Sequence, residues 1–266
     1  MTSIVALSFL ACFHAPPHPT PPPAVSEDVL RSLSTCRTPS TLRGRFRIQV
    51  KSAGLSGSTK GALVLNHPDD LRIDLVTPFN TPLAYIATDG NEINAWVQRN
   101  NVFFRGEDAS AVFSKLMGGQ TEITGALKAL TGCLPIDNPV PSQTTIVNGD
   151  LQFTFPMGDD GALVVQVDPN LHTLSHLQVL SRQTTSELTP VLEVDYDNHS
   201  PIEDGVLLPN ELAIRFPSLQ WDVALKFRSW TVTDLASDIF TITPPQGAVE
   251  QDLVEVLQNQ LLNDAD

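Results

Sequence analysis

Basic residues are scarce in this chain of 266 residues: 16 Lys and Arg stand against 30 Asp and Glu, a formal net charge of −14. That deficit excludes a nucleic-acid partner, whose phosphates need a basic surface, and it excludes binding to anionic lipid by overall charge. Any membrane contact is therefore expected to be apolar. Long apolar runs are also missing, since no stretch approaches the roughly 18 residues that a spanning helix requires. Cysteine occurs three times, at Cys12, Cys36 and Cys133, and forms no cluster of metal-site spacing. No glycine-rich loop of the phosphate-cradling kind is present. Gly54-Leu55-Ser56-Gly57-Ser58 has the wrong spacing for a G-x-S-x-G nucleophile elbow and reads as a flexible loop. His172 and His176 have the i,i+4 spacing of a helical metal pair, but they fall in a hairpin strand with no Glu between them. Asp159-Asp160 and Glu203-Asp204 fall in turns, where solvated charge is the default. The expectation is a protein that is not an enzyme, with no cofactor and no metal.

What the chain does have is alternation. From Arg45 to Gly106 apolar residues recur at every second position: Phe46, Ile48 and Val50 against Arg45, Arg47, Gln49 and Lys51, then Leu71, Ile73 and Leu75, then Ile93, Ala95 and Val97. Successive strand side chains point to opposite faces, so each run has one dry face. His67-Pro68-Asp69-Asp70 and Asp89-Gly90-Asn91 supply turns, and the whole reads as an antiparallel meander. A helix over residues 26–33, capped by Ser26, precedes it. Two helices follow, over 109–117 behind Asp108 and over 121–130 closed by Thr131-Gly132. Strands resume at Thr144 and run through 151–155, 162–167, 174–180, 192–196, 211–216, 222–230 and 240–242. About eleven strands with few helices predict one curled sheet or barrel. Leu253, Leu257 and Leu261 share one face of an amphipathic C-terminal helix in 248–266.

The first residues, ending Leu10-Ala11-Cys12, resemble a bacterial lipoprotein signal, which is cut before a cysteine that is then acylated. The chain departs from that pattern in having no Lys or Arg before the apolar run and Phe9 where Leu is usual. The resemblance implies a signal peptide over 1–11, lipidation (palmitate) at Cys12, and a tether over 12–25. The alternative is that Cys12 belongs to an apolar tail. The stretch from Phe13 to Ala24 is too rich in proline for a helix or ladder and suits a stand-off from a membrane. His14 and His18 lie in it and are not read as ligands.

Over residues 26–247 the chain resembles the LolA/LolB-like lipoprotein-sorting superfamily, and LolB-like outer-membrane lipoproteins in particular. The residues that carry this are Asn66-His67-Pro68-Asp69-Asp70-Leu71-Arg72, Thr88-Asp89-Gly90, Gly132-Cys133-Leu134-Pro135, Tyr196-Asp197, Gly205-Val206-Leu207-Leu208-Pro209, Phe240 and Pro244-Pro245. His67 departs from carriers of the LolA type, which often place arginine before this proline. The resemblance implies an incomplete antiparallel β-barrel, mainly β with short helices over its concave face, and an apolar cavity for acyl chains between them. Candidate lining residues are Phe46, Ile48, Leu63, Leu65, Ile73, Ile86, Trp96, Phe104, Phe153, Leu225 and Phe227; the alternative is that they fill a closed core. It also implies that Phe79, between Pro78 and Pro82, is the protruding apolar residue of a membrane-insertion loop. With Cys12 used for lipid, Cys36 and Cys133 remain either as a disulfide or as two separate thiols. The implied role is an outer-membrane, periplasm-facing lipoprotein for lipid or lipoprotein localisation. Its partners would be acyl chains of lipoproteins or phospholipid, and a periplasmic carrier protein. The alternative is a structural or assembly module with a filled barrel.

Overall fold

A computed structural model describes residues 23–36, 38–52, 54–116, 122–182, 187–235 and 237–257. Cys12, residues 13–22 of the tether with His14 and His18, Met117 and Leu261 lie outside them, whereas Pro23, Ala24 and Val25, expected to be tether, are the first turn of a helix because a proline is tolerated there. No described helix is long and apolar enough to cross a membrane.

Helix α1 (Pro23–Ser34) leads into a meander of β1 (Thr41–Ser52), β2 (Leu55–Asn66), β3 (Asp70–Val76), β4 (Pro82–Asp89), β5 (Ile93–Val97) and β6 (Val102–Gly106). Helices α2 (Ala109–Leu116) and α3 (Ile123–Leu130) follow. A second meander then runs through β7 (Gln143–Val147), β8 (Asp150–Pro156), β9 (Gly161–Asp168), β10 (Thr173–Ser181) and β11 (Thr189–Asp197). A small hairpin of β12 (Ser200–Pro201) and β13 (Leu207–Leu208) interrupts it before β14 (Glu211–Phe216) and β15 (Trp221–Val232). The last strand is β16 (Val249–Asp252).

All but β12 and β13 join a single sheet of 14 strands, in which the two meanders meet where β1 pairs with β15. The sheet is open, curved and almost wholly antiparallel, as the alternation and turn signals predict. It has more strands than the eleven expected.

Several local readings are corrected. Ser26 does not cap α1: the helix starts at Pro23, because a first-turn position suits proline's fixed φ and missing N–H, and Ser26 lies buried inside it. Gly54 to Ser58 is not simply a flexible loop; from Leu55 onward it is strand, since Leu55, Ser56, Gly57 and Ser58 each find a partner on β1. Residues 240–242 are not strand. Ser237–Phe240 is a 3-10 turn packed on the outer side of β3 and β4, where Arg72 donates to the Ile239 carbonyl at 2.8 Å. Nor is the C-terminal segment helical from 248: the polar run Val249–Asp252 pairs parallel to β6, and helix occupies 253–257, with Asp252 accepting from the Glu255 N–H at 2.9 Å.

Asp108 does cap α2, accepting from the Ala111 N–H at 2.9 Å. The core sits between the concave face of the sheet and the helices, with Val29, Leu33, Val112, Ile123 and Leu127 meeting Leu42, Leu65, Leu71 and Ile93. Gly44 and Gly61 make room for its aromatic cluster. A Cβ on Gly61 would stand 2.5 Å from the Phe46 ring, and one on Gly44 would stand 2.9 Å from Trp230. Phe227 stacks on Trp230 at 4.1 Å and tilts against Phe46 at 5.6 Å.

Candidate functional site: the concave face and its rim

Strand register decides which candidate lining residues meet. Leu42, Gly44, Phe46 and Ile48 of β1 stand opposite Leu65, Leu63, Gly61 and Thr59 of β2, and Leu65 and Leu63 stand opposite Leu71 and Ile73 of β3. The same face continues through Ile86, Ala95 and Phe104 on one side and through Phe227, Leu225, Leu212, Tyr196 and Val194 on the other, reaching Phe153. All the candidates share this face except Trp96. The alternation that turns Ile93, Ala95 and Val97 inward turns Trp96 outward, where it stacks on Tyr85 at 5.4 Å and donates to Asn101 Oδ1 at 3.0 Å.

Burial along the concave face is graded. Phe46, Leu63, Leu65, Phe153, Leu225 and Phe227 are core, and Leu42 and Leu65 have no exposed surface at all. Ile48, Ile73 and Ile86, with Leu75, Ile214 and Val223, are only half-buried against that core. On β1 and β3 exposure rises from the end covered by α1 and α3 towards the end where β3 turns into β4. The face is therefore filled at one end and, among the described residues, apolar but uncovered at the other. Tyr196 reaches into the filled part, and its hydroxyl has no partner among the described residues.

Beside the uncovered end stands the β3–β4 loop. Phe79 at its tip is 90 % exposed. The loop is closed on itself: the Thr77 N–H donates to the Thr81 carbonyl at 2.8 Å, the Asn80 N–H to the Thr77 carbonyl at 3.0 Å, and the two threonine hydroxyls meet at 2.6 Å. Lys60 Nζ reaches the Pro78 carbonyl at 3.4 Å. Pro78 and Pro82 restrict the backbone further, so the aromatic ring is held out on a rigid stalk.

At the opposite, covered end Cys36 and Cys133 form a disulfide with Cα atoms 5.7 Å apart, tying the end of α1 to the end of α3. Next to it a cleft of about 470 Å³ is lined by Leu33, His67, Pro68, Lys128, Leu134 and Asp137 among others, and by none of the candidate lining residues. Lys128 Nζ is 2.6 Å from Asp137. Burial, and after it the Lys128 charge, holds the His67 imidazole below its ordinary value of 6.5, and its Nε2 has no partner among the described residues. Burial lowers His199 as well, against the opposite pull of Asp197 and Asp168.

A base with a depressed folded-state pKa takes up its proton more readily when unfolded. Its contribution to stability is therefore present above the ordinary histidine value and lost as pH falls through it. The melting temperature is expected to drop between pH 7.5 and pH 5.5, and His67→Gln to reduce that drop. An unchanged pH dependence in the variant would mean that His67 does not carry it.

The histidines at 172 and 176 are not brought together on a helix. His172 has φ of 54° in the turn before β10, and His176 Nδ1 is 2.7 Å from Asp195 on the outer face. That face carries a polar ladder in which Arg215 meets Glu193 at 2.8 Å and Asp195 at 3.1 Å, while Gln178 donates to Glu193. Its Arg215 partner and the Gln178 hydrogen bond hold the Glu193 carboxyl below the usual range, although burial works against them.

Comparison of the architecture with solved structures identifies the fold. A LolA superfamily protein from Nitrosomonas europaea superposes with a TM-score of 0.55 at 11 % identity, over 81 % of this chain and 97 % of that one. A domain assigned to outer membrane lipoprotein sorting from Vibrio parahaemolyticus gives 0.55 at 11 % identity, over 82 % and 95 %. The fold is LolA-like. A DUF1329 family protein from Desulfovibrio piger shares it, with a TM-score of 0.54 at 10 % identity over 82 % and 96 %. No protein-family model matches the sequence, and no curated protein matches it.

Proposed function

We propose that this protein is a lipoprotein anchored through Cys12 to the outer membrane, facing the periplasm, that binds acyl chains of lipoproteins or phospholipid on its concave face. The role is binding and delivery rather than catalysis. The observation that carries the reading is the gradient along the concave face, from a packed end under the helices to the half-buried Ile48, Ile73, Leu75, Ile86, Ile214 and Val223 beside the exposed Phe79. An acyl chain gains roughly 0.8 kcal/mol per methylene removed from water, so a strip of aliphatic side chains is sufficient chemistry for such a ligand. Trp96 has no part in that surface. Phe79 is the membrane-touching tip, and a periplasmic carrier is the partner that would present cargo to the open end. The LolA-like fold supports this assignment.

The packed core under the helices favours a second reading, in which a filled barrel serves as a structural or assembly module. Mild purification followed by native mass spectrometry separates the two. The binding reading expects a lipid or acylated species bound to the folded protein and lost on Ile73→Asp or Ile86→Asp. Protein that is lipid-free under conditions preserving a control lipid carrier would favour the module.

A further inference from the structure

We propose that the outer face of β1 and its two neighbouring strands is a docking strip for an anionic bilayer surface. The whole-chain charge argues against such a surface, but the register builds one locally. Alternation along β1 sends Arg43, Arg45, Arg47 and Lys51 outward, and all four are exposed. The pairing puts Lys60 of β2 and Lys226 of β15 on either side of Arg47. A bulge opposite Arg45 and Phe46 leaves both Arg228 and Ser229 exposed, adding another cation. Seven of the chain's 16 Lys and Arg thus stand on three adjacent strands.

Few of these charges are neutralised. Lys226 lies 2.6 Å from Glu211, Lys60 reaches only a backbone carbonyl, and Asp222 faces Lys51 in the register. Arg43, Arg45, Arg47, Lys51 and Arg228 have no side-chain hydrogen bond or ion pair among the described residues. Outward residues on one strand are spaced about 6.8 Å apart, inside the roughly 8 Å screening length at physiological salt, so the row repels itself. Cations on an edge strand would be explained as a guard against edge-to-edge pairing. β1 is not an edge; it lies between β2 and β15 in the middle of the sheet.

A bilayer is the partner that accounts for the strip together with its surroundings. The row runs the length of β1 towards the end of the sheet that carries Phe79, and Lys60 joins the two by holding the Pro78 carbonyl. Lipid headgroups take a row of cations and the interface takes an aromatic tip, whereas an acidic protein surface would leave Phe79 without a role. The inference rests on the reading of Phe79 as a membrane contact, and the test separates the two.

The full chain carrying Cys12→Ser, so that no acyl anchor masks weak binding, is sedimented with vesicles of phosphatidylcholine alone and of phosphatidylcholine with phosphatidylglycerol in equal parts. Tighter binding to the anionic vesicles is expected, with a preference that shrinks as salt rises. Adding Arg43→Gln, Arg45→Gln and Arg47→Gln should reduce that preference by about tenfold or more, given the attraction of each basic residue to an anionic surface, with unchanged far-ultraviolet circular dichroism. Adding Phe79→Ser instead, which removes the ring without changing the charge, should weaken binding to both vesicle types and leave their ratio intact. Equal binding of the parent to the two vesicle types would overturn the strip and leave it to an acidic protein partner. A triple variant that keeps its preference would overturn it too. If Phe79→Ser changes nothing while the triple variant loses its preference, the strip stands and the membrane role of Phe79 falls.

Discussion

Replacing Cys36 and Cys133 together by serine is expected to cost about 4 to 5 kcal/mol of stability, the loop-entropy value for a crosslink closing on the order of 100 residues. The bridged residues are 97 apart in sequence, and the closed loop contains the whole first meander together with α2 and α3. Without the bridge the unfolded chain regains that freedom. In the folded state α1 and α3 are left to hold the covered end by apolar contacts, among them those of Val29, Leu33, Ile123 and Leu127. Urea titrations of the double variant, and of the parent with and without reductant, measure the effect. A loss below about 1 kcal/mol would mean that the denatured chain is already compact in this region and that the bridge constrains little.

The second large effect is functional. Phe79→Glu is expected to change stability by less than about 0.5 kcal/mol, because a side chain this exposed gives up almost no packing. Vesicle contact of the Cys12→Ser chain should nevertheless fall by about tenfold or more, since burying a phenylalanine is worth about 1.5 to 3 kcal/mol and a carboxylate in its place is repelled. That energy suits a transient touch rather than an anchor, the task that the acyl chain proposed for Cys12 would carry. The internal bonds of Thr77, Asn80 and Thr81 make the loop independent of the ring it presents, so the substitution should not rearrange it. A sharply lowered melting temperature with lipid contact intact would place Phe79 in the core in solution and end the insertion mechanism.

The sheet was legible because its side chains repeat with period two and its turns are chemically explicit. Asp89 accepts from the N–H groups of Asn91 and Glu92, and Gly90 has φ of 84°, as the Asp-Gly-Asn turn signal requires. The exposure of Phe79 was legible for a related reason, because two prolines and small polar neighbours leave it nothing to pack against. What was hidden depends on distant partners. Val249–Asp252 is polar and wholly exposed, and only the free edge of β6 makes it a strand. Phe103 points outward in register with Trp96 yet is fully buried. Phe240, whose 3-10 turn lies on the outer side of β3 and β4, is also buried, although no periodicity announces a segment crossing the sheet. The cationic strip was masked by averaging: a net charge summed over the chain says nothing about sorting by face, although the alternation of Arg43, Arg45, Arg47 and Lys51 was already visible. Residue type alone makes Trp96 a candidate for the apolar lining, whereas its opposite parity to Ala95 on β5 turns it outward.

The seam between β1 and β15 also sets a clock. Thr231 donates its hydroxyl to the Arg43 carbonyl across 188 residues of sequence, so the strand at the middle of the finished sheet is among the first to emerge and among the last to be satisfied on both sides. Until β15 arrives, β1 is an edge, with its backbone donors and acceptors open to any other extended chain. Contacts of such separation slow folding towards the millisecond-to-second range of β topologies. During that interval β1 is where two half-made sheets would pair if they met, a hazard that closing the seam with β15 removes.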